Sequence, residues 1–442
     1  MSSKSKSSVC ICPILNSIGL IIEKTREKNT NGFEIDQDYH EDRLAVDYSI
    51  KSINGCKKLG VSRVNKITVL QVYKFYLPHI GGIEKIIQLI AEYSKNNGID
   101  SRILACSHDR TLNTTEEIIG TIEVIRSNSL GTLFSTPIST SFFGIFKYLS
   151  QKMDIIHIHS PFPLGEISYL LLKPKRQKLV ITYHADISQT RWAGFAPFYK
   201  YALMALLEKA DRIIVTSPSM LKSSNMLQPF INKCQIIPLA IDLNEFDLPS
   251  QEQKNNLKKS LSIGSDKVVL FVGRLTYYKG VIYLISAMEK IDARLIIIGS
   301  GELQESLMRE SARLRMQNKI HFIGHVSKDE LPIYYSIADV FVLPSINGGE
   351  AFGLVQLEAM AFGIPIVNTD LSTGVTFVSL HNDTGLTVPP RDSIALANAI
   401  NKILNDKELR GQFSKNCRAR VKLFSLDKML SEVAKVYKSL ME

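Results

Sequence analysis

Several things this sequence lacks narrow its reading. Its 442 residues hold 25 Gly, 16 Pro and 6 Cys, too few for a collagen-like, mucin-like or small disulfide-stapled chain. The cysteines (Cys10, Cys12, Cys56, Cys106, Cys234, Cys417) contain no C-x-x-C pair, so neither a zinc site nor a redox motif is indicated and a reducing compartment fits. The longest apolar stretch near the start, Val9 to Ile22, is broken by Pro13, Asn16 and Ser17. It falls short of the roughly 20 residues a membrane helix needs. No small-residue cleavage site follows it, so a signal peptide is disfavoured. There is no G-x-x-x-x-G-K-[ST] phosphate loop. Charge gathers in no basic tail: the net +10 is spread along the chain, which argues against nucleic-acid binding. The one tight basic cluster is Lys173, Lys175, Arg176 and Lys178, a solvated turn or a contact for an anionic membrane surface.

What is present is an ordinary soluble composition, 45% hydrophobic and 22% charged, long enough for two full domains. Residues 1–63 are polar and irregular, and are expected to be a poorly ordered extension. From Lys66 onward apolar strands alternate with helical patterns, the mark of stacked βαβ units and an α/β fold. Strands are expected at Ile67–Val72, Ser101–Cys106, Ile122–Ile125, Asp154–His159, Leu179–Tyr183, Arg212–Thr216 and Gln235–Ile237. The polar, Lys-rich segment Asn244–Ser265 reads as a linker. The pattern then restarts at Lys267–Val272 and continues through Leu295–Ile298, Ile320–Phe322, Val340–Leu343, Ile364–Asn368 and Leu386–Val388, with a helical tail. This gives domains at 64–247 and 248–424 and a C-terminal helix at 425–442. Ligands in such sheets sit at the carboxyl ends of the strands.

The sharpest local signal is Glu350-Ala-Phe-Gly-Leu-Val-Gln-Leu-Glu358. With a helix expected from Phe352, Glu350 precedes its N-terminus and Glu358 lies inside it. Eight residues at helical rise span about 12 Å, a separation suited to the two ends of a bent nucleotide-sugar. The free N–H groups of the helix start favour phosphate between them. The second signal is Val272-Gly273-Arg274-Leu-Thr-Tyr-Tyr-Lys279-Gly280, two cations in a glycine-flanked loop after a strand, as a leaving diphosphate requires. The third is Gly299-Ser-Gly301-Glu302, where Gln304 occupies the place of the third small residue of a dinucleotide fingerprint. The fourth is Gly81-Gly82 at a helix start. His184, in Val180-Ile-Thr-Tyr-His-Ala-Asp186, falls just past a strand on the expected cleft side. His157 and His159 share one face of a strand without a third ligand nearby, so packing outweighs metal binding. The only D-x-D, Asp36-Gln-Asp38, follows no strand.

Together these pieces resemble the retaining glycosyltransferases of family 4, over residues 66–442. The most specific element is E-A-F-G-L-x-x-L-E-A-M-A-x-G-x-P-I-V from Glu350, supported by G-G-I-E at 81–84, His-Ala-Asp at 184–186, V-G-R at 272–274 with Lys279-Gly280, and I-G-S-G-E at 298–302. Segment 373–386 is similar to that of bacterial mannosyltransferases of O-antigen and exopolysaccharide assembly. The resemblance implies two facing Rossmann-like domains (GT-B type) with an interdomain cleft. It also implies Arg274 and Lys279 on the diphosphate, Glu350 on the donor sugar, Glu358 on the ribose, and the backbone of Phe352, Gly353 and Leu354 facing the phosphates. Gly273, Gly299 and Gly301 would line the donor site, Gly82 would let the first domain close on it, and His184 would line the acceptor side. The implied activity is transfer of a hexose, mannose from GDP-mannose being the leading donor and a UDP-hexose the alternative, to a lipid-linked or polysaccharide acceptor. Neither a metal nor a resident cofactor is implied. The expected location is the cytoplasm, peripheral on the inner face of the membrane. A catalytically weak paralogue stays open as a second class; a dinucleotide oxidoreductase is disfavoured by Gln304.

Overall fold

The computed structural model describes residues 66–78, 81–133, 136–186 and 196–442, with backbone alone at 196–198. The expectations for residues 1–63, the D-x-D among them, lie outside the described residues. The first sheet comprises β1 (Ile67–Val72), β2 (Ile99–Cys106), β3 (Thr115–Ile119), β4 (Ile122–Ser127), β5 (Ile155–Ser160), β6 (Lys178–Tyr183), β7 (Arg212–Val215) and β8 (Cys234–Ile236). Their order is β8-β7-β6-β5-β1-β2-β4-β3. All pairings are parallel except β3 on β4. β3 was not anticipated, because its burial is nearly nil and it carries no apolar alternation.

The second sheet comprises β9 (Val268–Val272), β10 (Arg294–Ile298), β11 (Ile320–Gly324), β12 (Val340–Leu343), β13 (Ile366–Thr369) and β14 (Gly385–Val388), ordered β11-β10-β9-β12-β13-β14. It is fully parallel, and its order is that of a doubly wound dinucleotide-type sheet. β9 and β12 are buried throughout, as strands covered by helices on both faces must be. The strand order reverses between β9 and β12, and in the first sheet between β1 and β5. The chain leaves all four strands at their carboxyl ends into loops that open beside these switch points.

Five helices matter for the site: α1 (Gly82–Asn96), α2 (Pro163–Leu172), α3 (Gln251–Ser260), α4 (Leu354–Ala361) and α5 (Leu426–Ser439). α3 lies within 244–265, the segment read as a linker. Ser250 and Gln253 form a complete capping box there, which overrides the segment's low apolar content. α5 returns to the first half of the chain and packs against α1. Its Met429, Val433, Val436 and Tyr437 share one buried cluster with Val69, Ile86, Ile90 and Ile155.

Candidate active site

The loop after β9 carries Gly273, Arg274 and Lys279. The backbone at Gly273 has φ of 153°, and its N–H is donated to the Ile298 carbonyl at 2.9 Å. Leu275 N–H is likewise donated to the Ser300 carbonyl. The β9 and β10 exit loops are thus tied backbone to backbone, which explains two glycines. A Cβ on Gly299 would sit 2.1 Å from the Gly273 carbonyl oxygen, and one on Gly301 2.5 Å from that of Leu275. Gly299 and Gly301, expected to line a donor site, shape the loop that presents Arg274. Arg274 is exposed and, among the described residues, has no carboxylate partner.

Lys279 turns inward. Its Nζ lies 2.6 Å from Glu350 Oε2, and both side chains are only 9% exposed. Ser345 Oγ donates to the same Glu350 oxygen at 3.0 Å. Burial opposes the charge on Lys279, but Glu350 and Tyr278 outweigh it, and the ammonium is held above its ordinary pKa. The structure therefore joins the two residues to which the resemblance gives separate parts. Any anion entering here meets an ammonium already oriented by a carboxylate.

α4 begins at Leu354, two residues later than expected. Gly353, its N-cap, is left-handed at φ of 76°, a conformation that costs glycine little. The span from Glu350 to Glu358 is half loop and half helix, so a 12 Å separation taken from helical rise does not apply. In the first turn of α4 the Leu354 and Val355 N–H groups have no intrahelical acceptor, while that of Gln356 is donated to the Gly353 carbonyl at 2.9 Å. Phe352 is 4% exposed and meets Phe424 edge-on with centroids 6.2 Å apart; its ring belongs to the core, and only its backbone can face a ligand. Glu358 accepts a hydrogen bond from the Tyr335 hydroxyl at 2.7 Å. Burial, only partly offset by Tyr335, Lys328 and Lys279, raises its pKa.

The first half of the chain closes one side. A Cβ on Gly82, the first residue of α1, would lie 3.5 Å from Leu354 Cδ1, so the starts of α1 and α4 abut. That spacing is ordinary van der Waals contact, and glycine is not sterically required at 82. Lys74, beyond β1, was missed by sequence reading. Burial lowers its pKa, Glu84 raises it and Arg274 lowers it, so this ammonium lies in the field of the cation opposite. His184 follows β6 directly and is 3% exposed. Burial drives its pKa down to about 3. It is thus a neutral, enclosed imidazole. The basic cluster at 173–178 lies at the opposite end of β6 from His184: Lys178 begins the strand and pairs with Asp211 at 3.2 Å. Five residue steps of about 3.3 Å separate Lys178 from Tyr183, roughly 17 Å.

Among the described residues no group of three or more His, Cys, Asp or Glu is arranged to hold a metal, and no helix is long and apolar enough to cross a membrane.

Residues 80–245 match the family model "Glycosyltransferase Family 4" and residues 252–420 that of "Glycosyl transferases group 1". A D-rhamnosyltransferase of Pseudomonas aeruginosa is 30% identical over 353 residues, covering 80% of this chain and 90% of that protein. An O-antigen chain mannosyltransferase of Escherichia coli is 30% identical over 376 residues, 85% of this chain and 99% of the relative. Among solved structures, sucrose-phosphate synthase from Thermosynechococcus elongatus superposes with a TM-score of 0.72 at 25% identity, over 85% of this chain and 99% of the other. The Anabaena protein HepE, solved with UDP-glucose, shares the fold at a TM-score of 0.66 and 18% identity, over 84% of this chain and 100% of its own. With two Rossmann-like sheets joined at their switch points and both halves matched, the chain belongs to the family 4 glycosyltransferases of GT-B fold and is a glycosyltransferase.

Proposed function

We propose that this enzyme transfers mannose from GDP-mannose, with retention of configuration, to a lipid-linked or polysaccharide acceptor in the assembly of a cell-surface glycan. The observation that carries the reading is the grouping at the switch point of the second sheet. A buried Lys279–Glu350 pair, an exposed Arg274 and the left-handed entry to α4 at Gly353 lie on the loops after β9 and β12. A departing diphosphate needs positive charge that costs no reorganisation when the bond breaks. Arg274, Lys279 and the first turn of α4 supply it, with no resident metal or cofactor in the scheme. Glu350, held by Lys279 and Ser345, presents its carboxylate to sugar hydroxyls. Glu358, inside α4, takes the ribose. His184 stands on the acceptor side. The mannose donor is supported by the Escherichia coli relative, named as an O-antigen chain mannosyltransferase. The enzyme acts at the cytoplasmic face of the membrane, bound peripherally.

A second donor class has one specific support, the fold shared with a protein solved with UDP-glucose. A panel of nucleotide-sugars, read as binding and as donor hydrolysis, separates the two: GDP-mannose should outcompete UDP-hexoses, and the reverse ranking overturns the donor. The anomeric configuration of the product, read from NMR couplings, tests the mechanism independently. An α-mannoside from GDP-α-mannose is expected; a β-mannoside means inversion.

A further inference from the structure

Beneath His184 lies a row of polar side chains that the proposed chemistry does not use. Residues alternate across a strand, so Val69 and Gln71 of β1, Ile155, His157 and His159 of β5, and Val180 and Thr182 of β6 with His184 beyond it share one face of the sheet. The apolar members, Val69, Ile155 and Val180, pack in the cluster that includes α5. Toward the carboxyl ends the row turns polar, and every polar member is buried. His157 and His159 stack at 4.3 Å between centroids, and His159 and His184 at 5.4 Å. Tyr437 of α5 reaches into the row from the other end of the sequence.

The hydrogen bonds run in one direction. Gln71 donates through Nε2 to the Tyr437 hydroxyl at 2.9 Å, so its Oε1 is the atom 3.0 Å from His159 Nε2. An amide oxygen only accepts; His159 must carry its proton on Nε2. Its Nδ1 is then a lone pair, 3.1 Å from His184 Nε2, and can only accept from it. His184 is left with a proton on Nε2 and a bare Nδ1, and that Nδ1 is buried without a partner among the described residues. At the far end the Tyr437 hydroxyl, which accepts from Gln71, lies 2.6 Å from His157 Nδ1, and His157 Nε2 lies 2.7 Å from Thr182 Oγ1.

We propose that Gln71, His159 and Tyr437 are positioning residues which fix the Nε2–H tautomer of His184, so that its unprotonated Nδ1 stands ready to accept a hydrogen bond from a substrate hydroxyl. The relay anchors the acceptor side of the reaction to the C-terminal helix. Burial supports it, because it keeps all three imidazoles neutral, and only neutral rings transmit a donor–acceptor direction. The part played by the hydroxyl rests on the reading of His184 given under the proposed function; the tautomer itself does not.

Nitrogen-15 NMR of the histidine-labelled, ligand-free enzyme tests the tautomer directly. His184 should show a protonated Nε2 and a pyridine-like Nδ1. A proton on Nδ1 in the wild type overturns the proposal, whatever the donor proves to be. Tyr437→Phe frees the Gln71 amide to turn over, and Gln71→Met removes the acceptor of His159. In both, the His184 signals should shift toward mixed tautomers, and kcat should fall about tenfold to a hundredfold with little change in donor KM, the scale of a misplaced catalytic contact. Folded variants, checked by near-ultraviolet circular dichroism, that keep the wild-type tautomer and kcat also overturn it. A wild type with the expected tautomer but no turnover of any nucleotide-sugar would remove the proposed function and leave the relay standing.

Discussion

At the scale of single residues, the two loop cations should part company when mutated. Arg274 is exposed, so Arg274→Ala should lower turnover by about 10²–10³, equivalent to ~3–4 kcal/mol of transition-state stabilisation, and leave the thermal midpoint unchanged. Lys279→Ala should cost a similar factor and also destabilise the fold by about 3–5 kcal/mol, because Glu350 would stay buried without its partner. Steady-state kinetics beside denaturant titration separates the two effects; equal stability of both variants would show that the ion pair contributes nothing to the fold. Gly299→Ala offers a third comparison. A Cβ there meets the Gly273 carbonyl at 2.1 Å with φ of 124°, so the β9 exit loop must move. The fold should lose about 1–3 kcal/mol and activity should fall with it, although residue 299 carries no chemistry. Gly82→Ala, with a 3.5 Å neighbour, should be nearly silent in denaturant titration.

At the scale of elements, the buried histidine row makes β5 sensitive to acid. Burial first, and His184 second, lower the His157 pKa to about 3, against roughly 6.5 when unfolded. The unfolded chain therefore binds the extra proton below pH 6.5 and the folded one does not until near pH 3. This contribution to stability is complete above pH 6.5 and is lost as pH falls, at up to ~1.4 kcal/mol per unit. Glu166 and Glu358, whose carboxyls burial raises, act in the opposite sense. The clean measurement is therefore a difference between proteins. His157→Asn should be less stable than wild type at pH 7.5, and the gap should narrow by about 2 kcal/mol at pH 5. A gap that stays constant over that range would mean that His157 titrates normally in the folded protein.

At the scale of the whole molecule, α5 closes the chain on itself. It buries Met429, Leu430, Val433, Ala434, Val436 and Tyr437. At about 1.5–3 kcal/mol for each large apolar side chain, that is on the order of 10 kcal/mol, comparable with the whole stability of a typical domain. Ending the chain after Phe424 should therefore abolish cooperative unfolding of the first half as well as activity. A soluble truncated protein with an unchanged transition would contradict this. The basic cluster at 173–178 gives the other molecular prediction. Binding to anionic vesicles should weaken as salt shortens the Debye length to about 8 Å and below, and charge reversal of Lys173 and Lys175 should abolish it. Salt-insensitive binding would point to another surface, which the distance of this cluster from the site already makes worth mapping.

The sequence by itself determined the strands other than β3, the α/β alternation of both halves and the loops bearing Arg274, Lys279, Glu350 and Glu358. These are written in local pattern: continuous apolar runs for buried strands, glycine where a loop must turn sharply, and a dense motif around one helix start. It did not disclose that Lys279 and Glu350 bind each other, that Gly299 and Gly301 serve loop packing, that Phe352 belongs to the core, or that Lys74 lies in the field of Arg274. Nor could it join Gln71 to Tyr437, which lie 366 positions apart in the chain and 2.9 Å apart in space. A polar residue inside β1, two histidines alternating along β5 and a tyrosine on a tail helix each have an unremarkable local reading. Only the parallel register of three strands and the return of α5 bring them into one dry face. There the low dielectric makes an unpaired polar group costly, and the side chains of the row hydrogen-bond one another.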